Sequence, residues 1–358
     1  MQIAVILGTR PEIIKMAPVI KELTGRKADF FIVHTGQHYS YEMDRLLFEQ
    51  LELRSPDYNL EVGSGSHAGT TGRMLIEIER VLLNRRPDVV LVEGDTNSIL
   101  AGALAAVKLG VRVGHVEAGL RSYDRGMPEE INRVLTDHIA DYLFAPTEKA
   151  AGLLRGEGIA EEKIYVTGNT IVDAVFQNAE LAEKRGDVLL RNNLKEKQYF
   201  LLTLHRQENV DSRERFASIL EGVNRVSASS GLPVFYPVHP RSKKMMDGFR
   251  LRPEKIILTG PVDFLGFLQL EKNARLVFTD SGGVQEESCI LRVPCVTVRD
   301  NTERPETVEV GANVVAGTRA DDILEAAQSM LGRENNWDNP FGDGMAARRI
   351  IDIMEGKP

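Results

Sequence analysis

Met1-Gln2-Ile3-Ala4-Val5-Ile6-Leu7-Gly8-Thr9-Arg10-Pro11-Glu12-Ile13-Ile14-Lys15 opens the chain. Residues 3–7 are an apolar strand. The turn Gly8-Thr9-Arg10-Pro11-Glu12 leads straight into a helix, with proline in its favoured first-turn position. This is the opening of a Rossmann-type unit. A dinucleotide-binding turn would read G-x-G-x-x-G here, so that the backbone can touch a pyrophosphate. Those glycines are missing. Instead Arg10 stands at the carboxyl end of the strand, and Lys15 follows one helical turn beyond Pro11. Two cations facing the crevice fit a phosphate-bearing ligand and argue against NAD.

Outward from this start, short apolar runs alternate with helix-period segments, the pattern of parallel sheets built from βαβ units. The first half predicts strands over 2–7, 29–34, 88–93, 111–116, 142–145 and 163–167, with helices over 11–24, 41–52, 70–84, 97–109, 129–140 and 147–157. The second half predicts strands over 199–204, 233–237, 255–258, 275–279, 294–298 and 312–316. Its helices cover 212–229, 241–248, 264–273, 283–291, 303–310 and 319–331, and a last one covers 344–355. The segment 169–198 is charged and helical with no strand of its own, so the domain junction falls there. The fold class is α/β, with two Rossmann-like parallel-sheet domains over 1–170 and 171–340. The terminal helix, 341–358, folds back on the first.

A chain of 358 residues suits two domains, each with its own core. The net charge of −8 opposes sequence-blind nucleic-acid binding, which needs a basic face. No apolar run approaches the length of a membrane span, and nothing at the N-terminus resembles a signal peptide. The two cysteines, Cys289 and Cys295, suit buried thiols in a reducing cytoplasm. No metal site is expected, because too few further ligands accompany them.

Ligands of open parallel sheets bind beyond the carboxyl ends of the strands. Six such ends carry polar chemistry: Glu93-Gly94-Asp95-Thr96-Asn97, Glu117-Ala118-Gly119-Leu120-Arg121, His205-Arg206-Gln207-Glu208-Asn209, His239-Pro240-Arg241, Thr279-Asp280-Ser281-Gly282-Gly283 and the run from Arg299 to Glu306. One carboxylate at a strand end is usually a helix cap. Asp95 and Glu117, ending consecutive strands, share a crevice that permits acid/base work if their surroundings separate their pKa values. Glu129 and Glu130 open a helix after Pro128, where acids also complement the helix dipole. Ser281-Gly282-Gly283 offers free N–H groups to an anion. One turn on, Glu287 is placed for two ribose hydroxyls, Arg304 adds a cation, and Phe267 offers an apolar surface for a base.

The runs GTRPEIIK, TGQH, EGDTNS, GHVEAGLRS, PEEINR, LTLHRQEN, PVHP, TDSGGVQEE and RDNTERPE occur in this order. Together they closely resemble the non-hydrolysing UDP-N-acetylglucosamine 2-epimerases. The resemblance implies a GT-B-type pair of Rossmann-like domains with the active site in the cleft between them. It implies interconversion of UDP-GlcNAc and UDP-ManNAc through elimination of UDP to 2-acetamidoglucal, with no cofactor. It implies a cytoplasmic homodimer. By motif, Asp95, Glu117 and Glu129 resemble the catalytic carboxylates, with His205 assisting near the leaving diphosphate. Arg10, Lys15, Phe267, Ser281, Gly282, Gly283, Glu287 and Arg304 resemble UDP contacts. Gln37, His38, Glu130, Arg206 and His239 resemble parts of an activator site for a second UDP-GlcNAc. The chain departs from those relatives in one loop: where they carry an Arg-Gln pair it has Gly65-Ser66-His67. The alternatives are an epimerase of a 2,3-diacetamido uronic acid sugar, with Arg121 or Arg125 holding the extra carboxylate, or a GT-B glycosyltransferase.

Overall fold

The first sheet is made of β1 (Gln2–Leu7), β2 (Asp29–His34), β3 (Tyr58–Asn59), β4 (Val89–Glu93), β5 (Arg112–Val116), β6 (Tyr142–Ala145) and β7 (Ile164–Val166). They run in the order β3-β2-β1-β4-β5-β6-β7, and every pairing is parallel. The structure is a computed structural model that describes residues 1–36, 41–184, 186 and 188–357. Gln37 and His38 lie outside the described residues.

The second sheet comprises β8 (Phe200–Thr203), β9 (Val234–Pro237), β10 (Ile256–Thr259), β11 (Leu276–Thr279), β12 (Cys295–Thr297) and β13 (Asn313–Val315). Its order is β10-β9-β8-β11-β12-β13, again parallel throughout. Both sheets are Rossmann-like. Each reverses its strand order once, between β1 and β4 in the first and between β8 and β11 in the second. Such switch points open a crevice at the carboxyl ends of the strands.

The strands are apolar on both faces because helices cover both faces. In the second sheet the alternation of side chains sorts them cleanly. Phe200, Leu202, Leu276 and Phe278 enter one buried cluster, while Tyr199, Leu201 and Val277 enter another. Cys289 and Cys295 are buried free thiols.

The chain forms two compact units, Met1–Gln177 with the residues from Phe341 onward, and Asn178–Pro340. The division falls inside the helix Thr170–Lys184, later than residue 170, because a continuous helix runs through the junction. The last helix, Ala346–Met354, is fastened to the first unit at both ends. The Asp173 carboxylate accepts the N–H groups of Ala346 (3.2 Å) and Ala347 (3.0 Å) at its start. At its end Arg26 pairs with Asp352 (2.7 Å) and Glu355 (2.8 Å). Asp173 therefore caps a helix from a distance in sequence. Asp173→Ala should cost about 1 kcal/mol, the usual value of a lost cap, and Asp173→Asn less. Thermal unfolding of the two variants checks this.

Three short elements escape the sequence pattern: β3, the 3-10 turn Glu161–Lys163 and the helix Gln207–Val210. β3 exists only through its pairing of Tyr58 and Asn59 with Val33 and His34. The helix His67–Arg85 also begins before residue 70, so His67 is in its first turn and not in the glycine-rich loop.

Candidate active site

The turn after β1 is built around Glu12, which the sequence reading passed over. Its carboxylate accepts the N–H groups of Gly8 (2.6 Å) and Thr9 (3.2 Å) and the Thr96 hydroxyl (2.6 Å). It thus joins the two turns that flank the first switch point. Burial pushes its carboxyl up to about 7, against the pull of these donors. Gly8 is required by packing, since a Cβ there would lie 2.1 Å from the Thr35 hydroxyl and 2.2 Å from that of Ser98. Arg10, half-buried at the start of the helix Arg10–Gly25, forms no ion pair among the described residues.

Lys15 turns toward carboxylates. Its ammonium pairs with Glu117 and lies 3.2 Å from Glu93. Its charge is thus balanced within the chain, and its nearest role is to hold Glu117 ionised. Glu117 follows β5 with φ of 68°, a left-handed conformation rare for a side chain of this size. Strain of this kind collects at functional sites. The Asn169 amide reaches its other oxygen at 3.5 Å.

Asp95 follows β4, the neighbour of β5, and is partly exposed. Arg133 pairs with it and also with Glu130 (2.8 Å). The Asn132 amide donates to the Asp95 carbonyl (2.9 Å) and to Asn97 (3.1 Å), and Asn97 in turn meets His67 (3.1 Å). Glu129 is half-buried, with no hydrogen-bond or ion-pair partner among the described residues. It lies one helical turn before Arg133, on the same face of Pro128–Ile139. Asp95 and Glu117 therefore sit at adjacent strand ends with different cations, which is how two carboxylates acquire separate roles.

Glu130 is committed elsewhere. Besides Arg133, it accepts the N–H groups of Ser122 (2.9 Å) and Tyr123 (2.9 Å) and the Ser122 hydroxyl (3.0 Å). Burial raises its carboxyl, but these donors outweigh it and hold it below the usual range. Glu130 anchors the loop 121–127, with little capacity left for an activator.

Arg121 is likewise occupied. Its guanidinium pairs with Asp137 (2.7 Å) and with Glu157 (2.6 Å), and its side chain is 1% exposed. The suggestion that it receives a sugar carboxylate is therefore corrected: both faces of the fork are already used. His115 completes this network. Its Nδ1 meets Asp137 (2.6 Å) and its Nε2 meets the Gly94 carbonyl (2.8 Å). Both partners only accept, so both ring nitrogens carry protons and the fully buried ring is an imidazolium. It holds the turn that presents Asp95.

In the second unit, His205 follows β8 and Asp280 follows β11, on either side of the second switch point. Asp280 is fully buried and accepts from the N–H groups of His205 (3.1 Å) and Arg206 (3.0 Å) and from the Asn209 amide (3.3 Å). Its contact with His205 Nδ1 is 3.0 Å. Burial raises this carboxyl, but His205 and the N–H donors hold it below the usual range. An ionised Asp280 makes Nδ1 the donor and leaves Nε2 for chemistry.

Ser281 stands at the N-cap position of the helix Gly282–Ile290, and its hydroxyl takes no N–H of the first turn. Nothing in the chain's packing requires glycine here. A Cβ at Gly282 or Gly283 would meet no atom closer than 3.8 Å, and neither φ is positive. Room and bare N–H groups at a helix start are what a phosphate needs. Glu287 is raised to about 7 by burial, beside Glu271 and Glu286. Arg304 pairs with Glu286 (2.8 Å). Phe267 packs half-buried against the core. Arg206 lies 3.7 Å from Glu303, and His239 caps the helix Pro240–Gly248 by accepting from Arg241 N–H (3.2 Å).

Arg133, Asn132, Asp280 and Glu12 were not among the expected site residues. All sit inside the runs quoted above, and Arg133 was signalled by its spacing of four from Glu129.

A family model described as UDP-N-acetylglucosamine 2-epimerase matches residues 21–355. The chain belongs to this family. The UDP-N-acetylglucosamine 2-epimerase of Methanocaldococcus jannaschii is 55% identical over 361 residues, covering 99% of each chain. A solved structure of the M. jannaschii UDP-GlcNAc 2-epimerase, in complex with UDP-GlcNAc and UDP, superimposes with a TM-score of 0.87, covering 99% of this chain and 100% of the other. The UDP-2,3-diacetamido-2,3-dideoxy-D-glucuronate 2-epimerase of Pseudomonas aeruginosa is 42% identical, covering 99% of each chain. Family members are isomerases, and among the described residues no helix is long and apolar enough to cross a membrane.

Proposed function

We propose that this chain interconverts UDP-GlcNAc and UDP-ManNAc. One carboxylate takes the proton from sugar carbon 2, and the electrons of that C–H bond form the C1=C2 double bond. The C1–O bond breaks, and its electrons leave with UDP. The products, 2-acetamidoglucal and UDP, stay bound. UDP then re-adds at carbon 1 while an acid protonates carbon 2 on the opposite face, so nothing is consumed. Asp95, Glu117 and Glu129 are the acid/base groups. Ser281, Gly282, Gly283, Arg10 and His205 hold the diphosphate, with Arg304 beside it, Glu287 takes the ribose and Phe267 lies near the base. Lys15 serves Glu117 more directly than the nucleotide.

The observation that carries this reading is the placement of Asp95 and Glu117 at adjacent strand ends, each held by its own cation. A glycosyltransferase needs no such pair of bases, and a non-catalytic sensor would need neither. Incubation with UDP-GlcNAc in heavy water should place deuterium at carbon 2 of both sugars without loss of UDP-sugar, as followed by proton NMR. Epimerisation without deuterium would exclude the elimination route. With Arg121 occupied, the uronic acid alternative rests on Arg125 alone, and UDP-2,3-diacetamido-glucuronate assayed in parallel tests it. The same reading has the enzyme act in the cytoplasm, where its buried thiols stay reduced, and as a homodimer, which sedimentation equilibrium checks.

A further inference from the structure

β4 ends by carrying Glu93 into the interior, where it is 2% exposed. The Lys15 ammonium stands 3.2 Å from its Oε1, and that oxygen accepts no hydrogen bond. The same ammonium pairs with Glu117. Glu12, on the helix of Lys15, is the third carboxyl at this place. Two buried carboxyls, Glu93 and Glu117, thus share one cation, with the charge of Glu12 nearby. They are not equivalent. Glu12 has two N–H groups and a hydroxyl that oppose the burial pushing its carboxyl up to about 7. Glu117 has the closest contact with Lys15 and an amide donor from Asn169. The Oε1 of Glu93 has only its share of the Lys15 charge and no donor. An anion without donors in a buried place is the one that takes up a proton. Burial pushes the Glu93 carboxyl well up, Lys15 opposes it, and the hydrogen bond to Glu117 with the charges of Glu117 and Glu12 pushes it further up.

We infer that Glu93 is a positioning residue of this site: a neutral carboxylic acid that donates its hydrogen bond to the Glu117 carboxylate and, with Lys15, holds that group ionised and aimed. The inference rests on reading Glu117 as an acid/base group. The charged groups that face Glu93 are Lys15 and Glu12 from the helix Arg10–Gly25, and Glu117 from the end of β5. Asp95, two residues on, is turned to Arg133, and His115 holds the Gly94 carbonyl between them. Loss of the Glu93 proton would set a second anion against Glu117 and remove its donor, so turnover falls on the alkaline side.

Two substitutions separate this from a structural role. Glu93→Gln keeps the shape of the neutral acid and an N–H donor, so kcat at neutral pH should stay within about threefold, far from the 10²–10⁴-fold loss of a working acid or base. Its alkaline limb should move to higher pH. Glu93→Ala should lose about 10- to 100-fold in kcat, the usual cost of removing a group that orients a working side chain, with KM little changed. Infrared difference spectra of wild type against Glu93→Gln, both with carbon-13-labelled glutamate, should show a protonated-carboxyl stretch that the variant lacks, beside those of Glu12, Glu271 and Glu287 common to both. A hundredfold loss in Glu93→Gln, an unchanged kcat in Glu93→Ala, or no such band would each overturn the inference. Full turnover in Glu117→Gln would instead strike the acid/base reading of Glu117, and the infrared band, which needs no turnover, would still stand.

Discussion

Asp95→Asn and Glu117→Gln should each lose about 10²–10⁴-fold in turnover, the contribution of a positioned acid or base, while UDP binding should stay near that of the wild type. Each substitution keeps the shape of its side chain and removes only charge and basicity. Neither carboxylate belongs to the second unit, where the nucleotide is proposed to be held, so affinity for UDP changes little. The variants also differ in what they leave behind. Glu117→Gln strands Lys15 on Glu93, a buried acid that can ionise in compensation. Asp95→Asn leaves Arg133 its second partner, Glu130. Both proteins should therefore fold. Isothermal titration with UDP beside carbon-2 exchange in heavy water separates binding from chemistry. Near-normal exchange in both variants would reduce these carboxylates to ion-pair partners of Arg133 and Lys15.

Asp137→Asn should destabilise the first unit by about 3–5 kcal/mol, the range for removing one partner of a buried ion pair. Asp137 accepts from His115 (2.6 Å), Arg121 (2.7 Å) and Gly119 N–H (3.2 Å), and its side chain is fully buried. Arg121 keeps Glu157, but the His115 imidazolium loses its counter-ion and must give up its proton. The effect depends on pH in both directions. Burial alone would raise the Asp137 carboxyl, but His115 and Arg121 outweigh it and hold it below the usual range. Its contribution is therefore present above the pKa of an unfolded aspartate and is lost as pH falls through the lower folded value. Burial alone would lower His115, but Asp137 outweighs it and raises the ring above its usual value. That contribution is complete below the unfolded histidine pKa and is lost as pH rises through the folded one. The difference between wild type and variant should thus be greatest in mildly acid solution and shrink on both sides. Urea unfolding across pH measures it. The transition of the first unit must be followed separately, since a chain of two units need not unfold in one step. A difference that does not shrink as pH rises would mean that His115 is neutral.

The order of strands and helices was legible from residue 2 onward, because parallel strands covered on both faces are short, wholly apolar runs and leave a clear trace. The candidate chemistry was legible for a related reason. Polar residues directly after such runs stand at the carboxyl ends of strands, and Asp95, Glu117, His205 and Ser281-Gly282-Gly283 all do. Family membership rested on the same stretches. What failed were elements with no pattern of their own. β3 is two residues long and is made by its neighbour, whereas the division between the units falls within the segment 169–198, inside the helix Thr170–Lys184.

Partnership is what only the tertiary structure decided. A sequence places charges along a line, but which charge answers which depends on atoms brought together from distant segments, and a Coulomb interaction falls off with distance in space. Lys15, a phosphate ligand on its motif, is drawn to Glu117 and Glu93, which lie 102 and 78 residues further along. Arg121, free on paper, is closed between Asp137 and Glu157. His115 is charged only because two acceptors, Asp137 and the Gly94 carbonyl, converge on its ring. The residue types determined that carboxylates, histidines and cations would collect at the strand ends. Burial and the tertiary pairing of Glu93 and Glu117 with one ammonium decided how those charges are shared.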